Sequence, residues 1–147
     1  MKPWLYNNTE FTKLEDFPQD VFGFIYKITN ILTNQYYVGK KFLHHSVKRK
    51  IGKKEKALIE GKGRRPDFER MSKESDWKTY FSSSEIIKED VKQNGSDHYK
   101  REILQFAYSK KELSYLEVYF QFKYDVLRDP LSITDNISGK WFKSDFK

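Results

Sequence analysis

Cysteine is absent from the 147 residues, so disulfides and cysteine-ligated zinc are excluded. A reducing compartment suits such a chain. Long apolar runs are also missing, and none would span a bilayer. The first ten residues, MKPWLYNNTE, lack the apolar centre of a secretory signal. The sequence therefore predicts a soluble, cytoplasmic protein with no membrane partner. Internal repeats and low-complexity segments are lacking too. Acidic residues are scarce in one place: residues 40–65 hold eleven Lys or Arg against Glu55 and Glu60, a local balance of +9.

The formal net charge is +7, so the rest of the chain sums to −2. A patch of one sign creates a field that attracts polyanions, with nucleic acid the first candidate and an anionic membrane surface a weaker one. Lys41, Lys48, Lys50, Lys53, Lys54, Arg64 and Arg65 are the candidate nucleic-acid contacts. A solvated lysine-rich loop would have the same composition. Aromatics make up 17% of the chain, with 10 Tyr and 12 Phe. Some must pack a core, and others could stack on bases.

The length fits one domain with a real core. Residues 1–20 read as an irregular N-terminal arm packing through Trp4, Leu5 and Phe11. Residues 21–147 read as a single domain with a basic insertion at about 50–75. Residues 21–30, VFGFIYKITN, alternate as a strand, with Phe22, Phe24, Tyr26 and Ile28 on one face. Residues 36–41 form the return strand. A short helix is expected around Leu43–Lys50, and Gly61, Gly63 and Pro66 predict a loop. Residues 66–81 read as a loop pinned by Trp77, Tyr80 and Phe81. Ser82 with Glu85 has capping-box spacing, and Asn94-Gly95 is a stop signal, so a helix lies between them. Its Ile86, Ile87 and Val91 should face the core. Residues 99–107 read as a third strand. Ser109 with Glu112 opens the longest helix, roughly 110–128. Strands on one side and helices on the other give a small layered α+β domain.

Residues 23–40, GFIYKITNILTNQYYVGK, place two tyrosines and a lysine on one hairpin. In a basic chain this pattern points to phosphodiester chemistry. Such chemistry needs a base, a cation, leaving-group stabilisation and fixed donors. Tyr26 and Tyr37 are candidates for the base and its helper. A free phenol, with a pKa near ~10, is a poor base at neutral pH, and a neighbouring lysine or a metal-bound water would have to lower it. Lys40 could supply that charge. Its odd spacing from Tyr37 puts the two on opposite faces unless the strand ends near Gly39. Either tyrosine alone reads as packing.

Glu117 lies within or beside the helical stripe Leu113, Leu116, Phe120, Tyr124 and Leu127. A carboxylate there needs a partner. Salt bridge and metal ligand fit the sequence equally, and a single carboxylate can hold Mg²⁺, which keeps several waters. Arg49 is the better phosphate ligand among Lys48, Arg49 and Lys50, because a guanidinium grips phosphate with two bonds. His44-His45 diverge as neighbours and cannot easily share one ion. Asn136 could orient a phosphate through its amide, and alone it reads as turn chemistry.

Together these residues resemble the GIY-YIG nuclease superfamily. Phe24-Ile25-Tyr26 matches its first motif, with Phe24 in place of glycine, and Tyr37-Val38-Gly39 matches its second. The surrounding IYKITN and YVGKK look like members found in phages and mobile elements. The resemblance implies a small three-stranded antiparallel sheet flanked by helices. It implies an arginine on the first helix, a glutamate on a later helix that binds one Mg²⁺ or Mn²⁺, and an asparagine near the end. Arg49, Glu117 and Asn136 fall in those places, and Lys40 matches a lysine after the second motif. The implied activity is metal-dependent cleavage of double-stranded DNA by a homing or phage-type endonuclease, with a homo-oligomer open. The alternative is a basic nucleic-acid-binding protein that no longer cuts.

Overall fold

A computed structural model describes residues 1–58 and 68–146. The chain divides into two units, residues 1–43 with 76–147, and residues 44–75.

The first unit is built on a mixed five-stranded sheet. Its strands, numbered in chain order over the whole protein, are β1 (Trp4–Tyr6), β2 (Thr9–Phe11), β3 (Gly23–Asn30), β4 (Tyr36–Phe42) and β7 (Tyr99–Ala107), in spatial order β2-β1-β7-β3-β4. The expected three strands are present as β7-β3-β4, all antiparallel. The sheet is nevertheless larger than three strands and not wholly antiparallel. Residues expected as an irregular arm supply β1 and β2, and β1 pairs parallel to β7. The reason is aromatic burial. Trp4 is almost fully buried, packs edge-on against Phe24 and Tyr26, and donates its indole N–H to the Trp77 carbonyl at 2.7 Å.

Strand β3 is covered on both faces. Phe24, Tyr26 and Ile28 join Trp4, Phe17, Trp77, Phe81, Ile87, Tyr99 and Ile103 in one cluster. Ile25 joins Tyr36, Val38, Leu113, Leu116, Phe120 and Val126 in the other. Phe22 lies before the strand and packs with the second cluster rather than beside Phe24. A register shift between Ile25 and Tyr26 bends β3 against β7.

Helix α2 (Glu85–Asn94) covers the first cluster, and α3 (Lys110–Lys123) covers the second. The N-cap of α2 is Ser84, not Ser82. Ser82 has a left-handed backbone (φ 69°), and its Oγ accepts from the Ser84 N–H. Ile87 is buried, Val91 packs against the core, and Ile86 points to solvent, contrary to expectation. Gly95 ends α2 at φ 82°, a conformation that favours glycine. Ser109 caps α3 by accepting the Glu112 N–H, and the Glu112 carboxylate accepts from the Tyr108 N–H. Helix α3 ends at Lys123, earlier than residue 128, as Asp125 turns left-handed (φ 52°). A short hairpin, β8 (Asn136–Ile137) with β9 (Trp141–Phe142), follows.

The second unit contains β5 (His44–Lys50), α1 (Lys53–Leu58) and β6 (Phe68–Glu74), with β5 and β6 antiparallel. The expected helix around Leu43–Lys50 is thus a strand, and part of the loop expected over 66–81 is its partner. Histidine, serine and valine are weak helix formers, and strand pairing outweighs the marginal helix.

Candidate active site

The site begins at the β3–β4 pairing. Tyr26 lies opposite Gly39. A Cβ at Gly39 would stand 2.5 Å from the Tyr26 hydroxyl and 3.0 Å from a Tyr37 ring carbon. The glycine is therefore the space into which the two phenols pack, their ring centroids 6.2 Å apart.

The two tyrosines differ in environment. Tyr26 is 0% exposed, and its hydroxyl lies 3.3 Å from that of Tyr80. Burial, then Tyr80, with smaller effects from Tyr37 and Glu117, pushes its phenol well above the ordinary value. Tyr37 is half-buried, and its hydroxyl shares a hydrogen bond of 2.9 Å with Ser83 Oγ. Burial also raises the Tyr80 phenol, against hydrogen bonds from Tyr26 and Ser83 that lower it. Four hydroxyls, of Tyr26, Tyr80, Ser83 and Tyr37, thus form one connected set.

Strand β4 runs on to Phe42, so the turn at Gly39 that would bring Lys40 to Tyr37 does not occur. Lys40 reaches α3 instead. Its Nζ lies 3.7 Å from Glu117 Oε1 and donates to Ser114 Oγ at 3.3 Å. The lysine on the tyrosine face is Lys41, whose Nζ sits 4.0 Å over the Tyr80 ring and 2.5 Å from Asp76 Oδ1.

Glu117 is partly buried beside the α3 stripe. Burial raises its carboxyl, and Lys40 opposes that shift. A cleft of about 440 Å³ at the edge strand β4 is lined by Tyr37, Ser84, Glu85, Glu117, Thr134 and Asn136, among others. Of the candidate site residues, Tyr37, Glu117 and Asn136 therefore share one cleft. Asn136 also closes the β8–β9 turn, its Oδ1 accepting the Gly139 N–H at 2.9 Å, so its amide serves the turn as well.

Among the described residues no three His, Asp or Glu side chains are grouped to hold a metal. Glu117 is the α3 carboxylate of a cleft that Glu85 and Asp135 also line. Its exposure to an oxygen-lined cleft and its incomplete neutralisation by Lys40 fit a hard cation that keeps most of its waters.

Arg49 does not lie on a helix. It is in β5 of the second unit, opposite Glu69 in register. Lys48 lies in the same strand, and the side chains of both are outside the described set. Lys50, Lys53 and Lys54 are exposed in the second unit, and Arg64 and Arg65 lie outside the described residues. Sequence reasoning missed Tyr80, Ser83 and Arg101. The aromatic cluster at 77–81 was the signal for Tyr80. Arg101 is 2% exposed, donates to the carbonyls of Lys2, Lys78 and Tyr80, and lies against the Trp4 and Phe81 rings. It ties β1 and β7 to the loop that carries Tyr80, and nothing in its local sequence marks it.

The sequence family described as "Putative endonuclease segE, GIY-YIG domain" matches residues 4–144. No curated protein and no solved structure matches the chain.

Proposed function

Because the chain belongs to the GIY-YIG endonuclease family, we propose that its cleft hydrolyses phosphodiester bonds of double-stranded DNA, with Mg²⁺ or Mn²⁺ held at Glu117. The observation that carries this reading is the shared cleft of Tyr37, Glu117 and Asn136, backed by Tyr26. When bound, the cation supplies Lewis-acid polarisation of the phosphate and charge stabilisation. Tyr37, in its phenolate form, is the group we assign to orient the attacking water and accept its proton, because its ring lines the cleft. Tyr26 is enclosed and acts by positioning Tyr37 and Tyr80. Ser83 fixes the Tyr37 hydroxyl. Lys40 keeps Glu117 charged against its burial. Asn136 orients the phosphate or the Tyr37 hydroxyl from the far wall. The bond from the water oxygen to phosphorus forms as the bond to the departing oxygen breaks, and the departing oxygen takes up a proton from solvent. Arg49 and the basic residues of 40–65 grip the DNA backbone. A homing or phage-type enzyme acting in the cytoplasm, with self-association supplying further specificity, completes the proposal. The motif surroundings IYKITN and YVGKK and the charge of 40–65 support it.

A second reading has its own observation. The Lys40 ammonium stands beside Glu117, and no arginine lines the described cleft. That arrangement suits a chain that binds DNA and does not cut it. Supercoiled plasmid incubated with Mg²⁺, Mn²⁺ or chelator separates the two. Nicked or linear product in metal alone supports hydrolysis. Salt-sensitive binding with no product under any metal supports the second reading.

A further inference from the structure

Helix α3 is apolar on two faces. Leu113, Leu116 and Phe120 are buried in the core, while Tyr115, Tyr119 and Phe122, spaced four and three apart, are exposed on the other side. A helix that is apolar all round is ordinarily covered all round. The β8–β9 hairpin extends this surface. Trp141 is exposed with its ring 5.6 Å from that of Phe122, the planes inclined at 68°, and Phe146 is exposed beyond it. With Val126, Leu127 and Ile137 these three rings wall a cavity of about 340 Å³. Small-molecule sites run from about 300 to 1,000 Å³ and combine such walls with a few polar groups.

Gln121 is one of those polar groups, and it lines both this cavity and the cleft of Tyr37 and Glu117. It is only 7% exposed, yet its side-chain amide makes no hydrogen bond among the described residues. Unlike the orphaned atoms of Thr29, Arg101 and Thr134, that amide is not sealed from solvent. An amide both donates and accepts, so it can meet the edge of a heterocycle. The rim carries cations. Lys140 Nζ stands 4.9 Å over the Trp141 ring, and Lys123 Nζ stands 5.9 Å over the Tyr119 ring. Neither lysine has a carboxylate partner among the described residues. The carboxylate in the cavity wall, Asp125, is already taken by Arg128 Nε at 2.9 and 3.0 Å. Ring walls, an open amide and uncompensated cations suit a flat heterocycle carried on an anionic chain. A second copy of the protein seated here would crowd the same lysines of both copies into one interface.

We propose that the cavity between α3 and β9 takes an unpaired base of the nucleic-acid strand held in the neighbouring cleft, packed against Trp141 and Phe122 with its edge at Gln121. This deepens the nuclease reading and rests on it for the identity of the strand. A base stacked inside a duplex cannot enter, so the cavity selects single-stranded or locally opened nucleic acid.

The test uses the full chain in chelator and follows tryptophan emission. Trp141 reports from the surface, whereas Trp4 and Trp77 are buried. The probes are a short oligodeoxynucleotide single strand, an abasic strand of the same length, and the blunt duplex. The single strand should quench emission saturably, and the abasic strand and the duplex should not. Trp141→Leu should remove the quench. Phe122→Leu keeps the reporter and should weaken single-strand binding about tenfold, near the low end for one lost base–ring contact, with abasic-strand affinity unchanged. Equal quenching by the abasic strand, or undiminished single-strand binding by Phe122→Leu, would overturn the assignment to a base. A dimer in sedimentation that Phe122→Leu abolishes, with no quench by any strand, would overturn it in favour of a second copy. If the base-dependent quench persists while plasmid is never cut, the hydrolytic reading fails and the base site is supported on its own. If plasmid is cut and no strand quenches, the base site fails and the hydrolytic reading stands.

Discussion

Tyr26 and Tyr37 are eleven positions apart and side by side in space, yet their surroundings assign them different work. Tyr37→Phe removes the hydroxyl of the one candidate phenol that lines the cleft. Cleavage should fall by about 10²–10⁴-fold, the span of a lost general base, with DNA affinity unchanged in a binding assay in chelator. Tyr26→Phe leaves the cleft lining intact, so its larger effect should be on thermal stability. A Tyr26→Phe variant more impaired in rate than Tyr37→Phe would reverse the assignment. Gly39→Ala would push a methyl group into both rings. It should cost about 1–3 kcal/mol in denaturant unfolding, as overpacking does, and should lower cleavage with it.

Glu117 gives a pH dependence at the same scale. Its folded-state pKa is raised by burial, with Lys40 opposing. The folded chain therefore holds that proton more tightly than the unfolded chain. Its contribution to stability is present below the unfolded pKa and is lost as pH rises through the folded one. Because the proton competes with a cation, cleavage should fall as pH drops through that raised value, and Glu117→Gln should be inactive throughout. Denaturant unfolding of wild type and Glu117→Gln across the carboxylate range checks the stability sign, and initial cleavage rates check the other.

At the scale of elements, the N-terminal pair β1–β2 is structural. Arg101 is held by three carbonyls and two aromatic rings without a carboxylate, and burial brings its guanidinium down to about 10. The junction of α2 and β7 is fixed differently. Asp90 accepts from the Tyr99 hydroxyl at 2.5 Å, and it also pairs with His98 and Asn94, which together hold its carboxyl to about 2. A depressed folded-state pKa stabilises above the unfolded value, near ~4, and that stability is lost as pH falls toward 2. Thermal melts should therefore show a drop in Tm across that window. Asp90→Asn should flatten it, and an unchanged profile would remove Asp90 from the acid response.

The elements also show what the sequence could carry. Strands β3, β4 and β7 and helices α2 and α3 were legible because alternation, the Ser109 cap and Gly95 act locally. Strands β1 and β2 were not, because Trp4 is held in place by Trp77 and Arg101, far along the chain. Lys40 and Glu117 were legible as residues. Their pairing was not, since it depends on β4 running past Gly39.

At the scale of the whole molecule, the residues proposed for the chemistry and much of the basic charge belong to different units of the chain. Tyr37, Glu117 and Asn136 belong to the first unit, and Lys48, Arg49, Lys50, Lys53 and Lys54 belong to the second. Replacing those five by glutamine should weaken DNA binding and flatten its salt dependence by about 0.9 in the log–log slope for each phosphate no longer neutralised. An unchanged slope in a salt titration would remove the segment from the interface. The central claim is hydrolysis at the cleft of Tyr37 and Glu117. It is tested most directly by supercoiled-plasmid cleavage with wild type and Glu117→Ala side by side, in Mg²⁺, Mn²⁺ and chelator. Product from wild type in metal only, and none from Glu117→Ala despite near-normal DNA binding, is the predicted result. Equal cleavage by Glu117→Ala, or product from wild type in chelator, would contradict it.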